Sequence, residues 1–104
     1  MISYNVFFSP RTGIDEQRVI AAVRRVLDEL RVAMKLRNYR ILRVTNPASF
    51  RELPQFQAII DYESQEELDD SLRFMRQPGK VHEGAHGELI EFVTEFKVSF
   101  TKDV

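Results

Sequence analysis

The chain has two histidines, and both fall in the segment His82-Glu83-Gly84-Ala85-His86, which has the pattern H-E-x-x-H. On a helix, histidines four residues apart point to the same side and can bind one zinc ion. The glutamate between them can act as a general base toward a metal-bound water. The pattern is therefore typical of a divalent-metal site, here formed by His82, His86 and Glu83, which in a hydrolase would support peptide cleavage.

Other features of the sequence argue against a metal-dependent peptidase. Gly84 and Gly87 each lower helix stability by roughly 1 kcal/mol relative to alanine. A third ligand close by could come only from Glu88, Glu91 or Glu95, which lie on the same short stretch as the histidines. We therefore expect no cofactor, with a bound divalent metal as the alternative.

The spacing of the histidines also suggests a role that needs no metal. In a helix over 82–93, His82 and His86 share one face with the apolar residues Leu89, Ile90 and Val93. An inward imidazole needs a polar partner, because an unsatisfied buried polar group costs about 1–3 kcal/mol. Two interpretations stay open. The histidines are structural and bond to a carbonyl or hydroxyl, or they line a pocket together and act on a ligand.

In the pocket interpretation, His82 is a catalytic general acid/base. Either His86 or Tyr62 orients it, so these three residues are the candidate catalytic set.

Four strands and three helices must position these residues. Apolar residues at a period of two predict strands over 2–9, 55–63 and 95–101, and a run rich in β-branched and aromatic residues predicts one over 39–45. A three-and-four spacing predicts helices over about 13–36, 64–77 and 82–93, the first with a cap at Thr12. The order β-α-β-β-α-α-β predicts an α+β, ferredoxin-like sandwich in which residues 1–104 form one domain, with an extra short helix before the last strand.

Several predicted strands carry apolar residues on both faces. Phe7 opposes Val6, Leu42 opposes Ile41, and Ile59 opposes Ile60. Helices can cover only one face of such a sheet, and a large exposed apolar patch is rare on a monomer. We expect a homodimer in which the open sheet faces of two copies meet.

Composition narrows the possible partners and the location. The chain has 104 residues, a formal net charge of −1 and no cysteine. A near-neutral domain lacks the basic excess that favours nucleic acid. No apolar run approaches the roughly 18 residues that span a bilayer, and the first residues do not resemble a signal peptide. We expect a cytoplasmic protein that binds neither nucleic acid nor membrane.

The run over 56–70 (FQAIIDYESQEELDD), followed by Ile-Glu-Phe-Val at 90–93 and the strand FKVSF at 96–100, resembles the stress-responsive A/B-barrel family of dimeric α/β-barrel proteins. The resemblance implies a ferredoxin-like protomer that pairs its open sheet face with a second copy and has a pocket between sheet and helices. Some relatives in the wider superfamily are cofactor-free oxygenases or cyclases of aromatic or polyketide-like substrates. By this resemblance His82 corresponds to the catalytic histidine of such a cyclase, and the accompanying tyrosine falls near Ser71.

The sequence therefore predicts a small homodimeric α/β-barrel protein that binds a small apolar or aromatic molecule between sheet and helices, with His82 acting on it in the enzymatic version. One alternative is a non-catalytic stress-response or ligand-binding module. The other is a metal-dependent hydrolase that uses the motif at 82–86.

Overall fold

The computed structural model describes residues 1–34, 36–76 and 84–104, with the backbone alone at 84–86 and 88. The elements are β1 (Ile2–Pro10), α1 (Glu16–Ala33), β2 (Asn38–Arg43), β3 (Phe56–Tyr62), α2 (Gln65–Met75), α3 (Gly84–Phe92) and β4 (Val93–Lys102). The strands form an antiparallel sheet in the order β2-β3-β1-β4. The predicted ferredoxin-like α+β fold is confirmed.

The helices pack on one face of the sheet because apolar residues alternate along β1 and β3. Val6 and Phe8 of β1 are buried together with every second residue of β3, from Phe56 to Tyr62. The buried face of α1 consists of Val19, Ala22, Val23, Leu27 and Leu30. Burying a large apolar side chain contributes about 1.5–3 kcal/mol, so this contact holds the helix layer on its face. Among the described residues, no helix has the length and apolar character needed to span a bilayer.

The first helix begins later and ends earlier than the sequence predicts. Gly13 has a φ of +87°, in the left-handed region, so the chain makes a turn where the helix was expected to begin. Asp15, not Thr12, caps the helix by accepting a 2.7 Å hydrogen bond from the backbone N–H of Gln17. At the other end the backbone becomes extended at Met34.

Polar contacts tie the edge strand β2 to α1. The hydroxyl of Tyr39 donates a 2.8 Å hydrogen bond to Asp28, and Arg43 forms an ion pair with Glu16. The guanidinium of Arg43 also lies 5.0 Å from the centre of the Phe56 ring, within cation–π range. These contacts join β2 to the helix layer.

The last strand begins at Val93, two residues before its predicted start, and contains a bulge. The pairing of β4 with β1 shifts between Phe7 and Ser9, and Glu95 has a φ of +54°. Beyond the bulge, Phe96 and Phe100 are 56% and 52% exposed. The alternation along β4 therefore forms a strand as predicted, but much of its apolar face is uncovered.

The other face of the sheet is open in the protomer. The register places Phe7 beside Gln57 and Lys97, and Ile59 beside Asn5 and Arg40. Leu42 also pairs with Gln57 on this face. Apolar groups thus lie among polar ones on the face that the helices leave uncovered.

Candidate functional site

A cavity of about 530 Å³ lies between the sheet and the helices, where the sequence analysis predicts a pocket. Three strands and all three helices contribute to its wall. The lining residues are Tyr4, Val6, Phe8, Arg11, Val23, Val26, Leu27, Ala58, Ile60, Leu72, Met75, Arg76, Leu89, Ile90, Val93 and Phe96. All but Tyr4, Arg11 and Arg76 are apolar, so an apolar molecule would find an apolar surface on most sides.

Arg11 fixes the helix that closes one side of the cavity. Its backbone N–H donates to the carbonyl of Phe92 at 2.8 Å, and its side chain donates to the carbonyls of Glu91 and Val93 at 3.0 and 3.1 Å. The bonds to Glu91 and Phe92 satisfy carbonyls of the last turn of α3, which lack partners within the helix, and the bond to Val93 reaches the start of β4. Arg18 of α1 adds a cation–π contact, 4.8 Å from the centre of the Phe92 ring. The end of α3 is thereby held against the β1–α1 turn.

Tyr4 and Arg76 bring polar groups to the cavity wall from opposite layers. The ring of Tyr4, on β1, stacks on Phe100 with centroids 5.2 Å apart and an angle of 12° between the planes. Burial raises the pKa of the Tyr4 hydroxyl, and the nearby Arg76 guanidinium, just after α2, partly offsets this by lowering the pKa. The hydroxyl is therefore a neutral hydrogen-bond donor at neutral pH.

Tyr62 lies deeper, at the end of β3. Its side chain is fully buried, and its hydroxyl lies 2.7 Å from the hydroxyl of Ser71 on α2, a hydrogen bond in which either group can donate. Burial raises the pKa of Tyr62 further than the bond to Ser71 lowers it. Tyr62 is not among the described residues that line the cavity.

Comparison with protein families gives one result that covers the whole chain. The model described as a family of unknown function, DUF6614, matches residues 1–104. The chain belongs to this family. No curated protein matches this DUF6614 sequence.

Solved structures share the fold of this DUF6614 protein at low sequence identity. The Arabidopsis thaliana protein At3g17210 has a TM-score of 0.77 at 9% identity, covering 100% of this chain and 96% of that one. A DABB family protein with a ferredoxin-like fold from Mesorhizobium loti has a TM-score of 0.69 at 14% identity, covering 99% and 96%. A dimeric ferredoxin-like protein of unknown function from Thermobifida fusca has 0.63 at 14%, covering 96% and 88%. These similarities show the fold, and the A/B-barrel resemblance is supported at that level.

The structure of this DUF6614 chain describes the motif at 82–86 only in part. His82 and Glu83 fall outside the described residues, and His86 lies on α3 with its backbone alone described. The apolar residues that the predicted face shares with them, Leu89 and Ile90, do line the cavity. In the described part of the chain, no cluster of three or more acidic or histidine side chains could hold a metal. The metal site at His82, His86 and Glu83 stays an untested alternative.

The cavity contains polar groups that sequence reasoning did not assign to it. Tyr4 shares the parity of Val6 and Phe8, which are buried under the helices, so its place on the inner face could have been inferred from the alternation. Arg76 gives no comparable signal, because nothing in the sequence shows where the end of α2 meets the sheet. Of the predicted catalytic residues of this DUF6614 member, Tyr62 is fully described, and it lies outside the cavity wall.

Proposed function

We propose that this protein binds a small apolar or aromatic molecule in the cavity between sheet and helices. The observation that carries the proposal is a volume of about 530 Å³ with a mainly apolar wall. Ligand pockets of about 300–1,000 Å³ with a few polar groups are typical of small-molecule sites. A bound apolar molecule would remove both its own surface and that of the wall from water, which favours binding.

In the enzymatic form of this proposal, His82 is the general acid/base. The resemblance to the stress-responsive A/B-barrel family supports this role. The hydroxyl of Tyr62 is already bonded to Ser71, so the proposal keeps His86 as the residue that orients His82.

The alternative is a ligand-binding module without catalysis. Aromatic and polyketide-like compounds incubated with wild-type protein and with His82→Gln distinguish the two. Mass spectrometry measures the loss of each compound. If the wild type consumes a compound and His82→Gln does not, the protein is a catalyst. Binding without consumption supports the module.

The binding proposal can be tested by filling the cavity. Val26 lines the cavity from α1, whereas Val32 on the same helix is 90% exposed. The matched variants Val26→Phe and Val32→Phe are titrated with 4-phenyl-1-butanol by calorimetry. We expect Val26→Phe to weaken binding by about tenfold or more, since the added ring occupies space that the probe needs. Equal affinities in both variants and the wild type would contradict the proposal.

We further propose that the protein is a homodimer that pairs its open sheet faces. Phe7, Leu42 and Ile59 on that face support it, because a second copy would cover them. The Thermobifida fusca structure with this fold is also described as dimeric. Light scattering at tens of micromolar tests the proposal with Ile59→Glu and the control Val32→Glu. We expect a dimer for wild type and control and a monomer for Ile59→Glu, and a monomeric wild type would overturn it.

A further inference from the structure

The charged groups on the described wall of the cavity have one sign. Arg11 and Arg76 line it, and among the described residues no aspartate or glutamate does. The chain as a whole is nearly balanced, with 15 basic and 16 acidic residues, so this distribution is local. A cleft with low-dielectric walls and charges of one sign concentrates its field on a ligand of the opposite sign. The cavity therefore favours an anionic group over a cationic one.

The two arginines differ in how far their donors are already used. The side chain of Arg11 donates to the carbonyls of Glu91 at the end of α3 and Val93 at the start of β4, so its hydrogen bonds serve the fold. Arg76 forms no ion pair with any carboxylate in the described part of the chain. A guanidinium has five donors in a planar fork that matches a carboxylate. Arg76, which is exposed at the cavity wall, is thus the lining cation whose donors no carboxylate of the described residues engages.

A basic residue near the end of a helix also has a simpler role, because it interacts with the negative end of the helix dipole. Arg73, in the last turn of α2, already occupies such a position, and it pairs with Asp70 rather than lining the cavity. The dipole alone does not require Arg76 to face the cavity near the Tyr4 hydroxyl. The place of Arg76 on the cavity wall is therefore compatible with a second role, in ligand binding.

We infer that the ligand carries a carboxylate, held by the Arg76 guanidinium and the Tyr4 hydroxyl, with its apolar body directed toward Leu27, Ala58 and Ile60. This inference rests on the proposed function and names the class of molecule: an aliphatic or aromatic carboxylic acid. The stacking of Tyr4 on Phe100 holds the phenol ring in place. The phenol, neutral at neutral pH, donates one hydrogen bond, and the guanidinium supplies the charge.

The test compares three probes that differ only in the head group: 4-phenylbutyrate, 4-phenyl-1-butanol and 4-phenylbutylamine. Calorimetry on the wild type should give about tenfold or more tighter binding of the carboxylate than of the alcohol, with the amine weakest, since charge-assisted hydrogen bonds are the strong ones. Arg76→Gln should remove the preference for the carboxylate. The matched control Arg73→Gln should retain it. Tyr4→Phe, which keeps the ring, should weaken carboxylate binding by roughly threefold to tenfold.

The outcomes separate this inference from the proposed function. If carboxylate and alcohol bind the wild type equally and Val26→Phe blocks both, the cavity binds apolar molecules but the inferred carboxylate site is wrong. A preference that persists in Arg76→Gln also overturns the inference, because the selecting charge lies elsewhere. If none of the three probes binds the wild type, both the proposed function and the carboxylate inference are wrong.

Discussion

The buried hydrogen bond between Tyr62 and Ser71 predicts an unequal response to its two single deletions. Both side chains are 0% exposed, and their hydroxyls are 2.7 Å apart. Ser71→Ala leaves the phenol of Tyr62 buried without this partner. Tyr62→Phe leaves a serine on a helix, where its hydroxyl can turn to the carbonyl four residues earlier, at Glu67. Removing the serine should therefore cost more than removing the phenolic oxygen.

The size of each effect follows from the cost of an unsatisfied buried group. Ser71→Ala should lower the free energy of unfolding by about 1–3 kcal/mol, and Tyr62→Phe by about 1 kcal/mol or less. The double variant removes both polar groups and leaves no orphan, so its cost should fall below the sum by about 1 kcal/mol. For a domain of this size, about 1 kcal/mol corresponds to a shift in Tm of roughly 4–8 °C.

Urea unfolding followed by circular dichroism on the wild type, both single variants and the double variant measures all four free energies. The control is the slope of the unfolding free energy against urea concentration. It should be the same for all four proteins, since each should unfold in the same two-state way. If Ser71→Ala lowers the free energy of unfolding no more than Tyr62→Phe, or if the two losses simply add in the double variant, the hydrogen bond does not act as described.

Tyrosine ionisation and metal content can each be tested separately. The hydrogen bond to Asp28 is the main cause that raises the pKa of Tyr39, so absorbance at 295 nm should show it ionising above pH 10, and Asp28→Asn should lower that midpoint. Because the pKa is raised on folding, this contribution to stability is complete below pH 10 and is lost as the pH rises above it. Protein purified without a tag should contain no stoichiometric zinc, iron or copper, and a metal that disappears in His82→Ala would instead support the site at 82–86.

The order of elements could be predicted from sequence because each has a strong local signal. The strands β1 and β3 alternate in polarity, and Ser64 caps α2 by accepting from the backbone N–H of Glu67, as the S-x-x-E pattern predicts. Boundaries were less accurate where backbone conformation decides them. The positive φ of Gly13 shifts the start of α1 to Glu16. Glycine permits that conformation but does not require it.

The composition of the site was harder to predict because it depends on how separate elements meet. The alternation of β4 predicts an apolar face, but Phe96, Val98 and Phe100 stay largely exposed because the strand lies at the sheet edge. The juxtaposition of Tyr4 and Arg76 joins residues 72 positions apart in the chain and depends on the packing of α2 over β1. No sequence pattern predicts that these two residues come together in the fold.

Binding in the cavity between sheet and helices can be followed by methyl NMR during titration with 4-phenyl-1-butanol. The methyl groups of Val6, Val23 and Leu27 line the cavity, whereas those of Leu42 and Ile59 lie on the open face of the sheet. Binding in the cavity should give saturable shift changes at the first three and none at the last two. Shifts confined to Leu42 and Ile59, or no shifts at saturating probe, would contradict it.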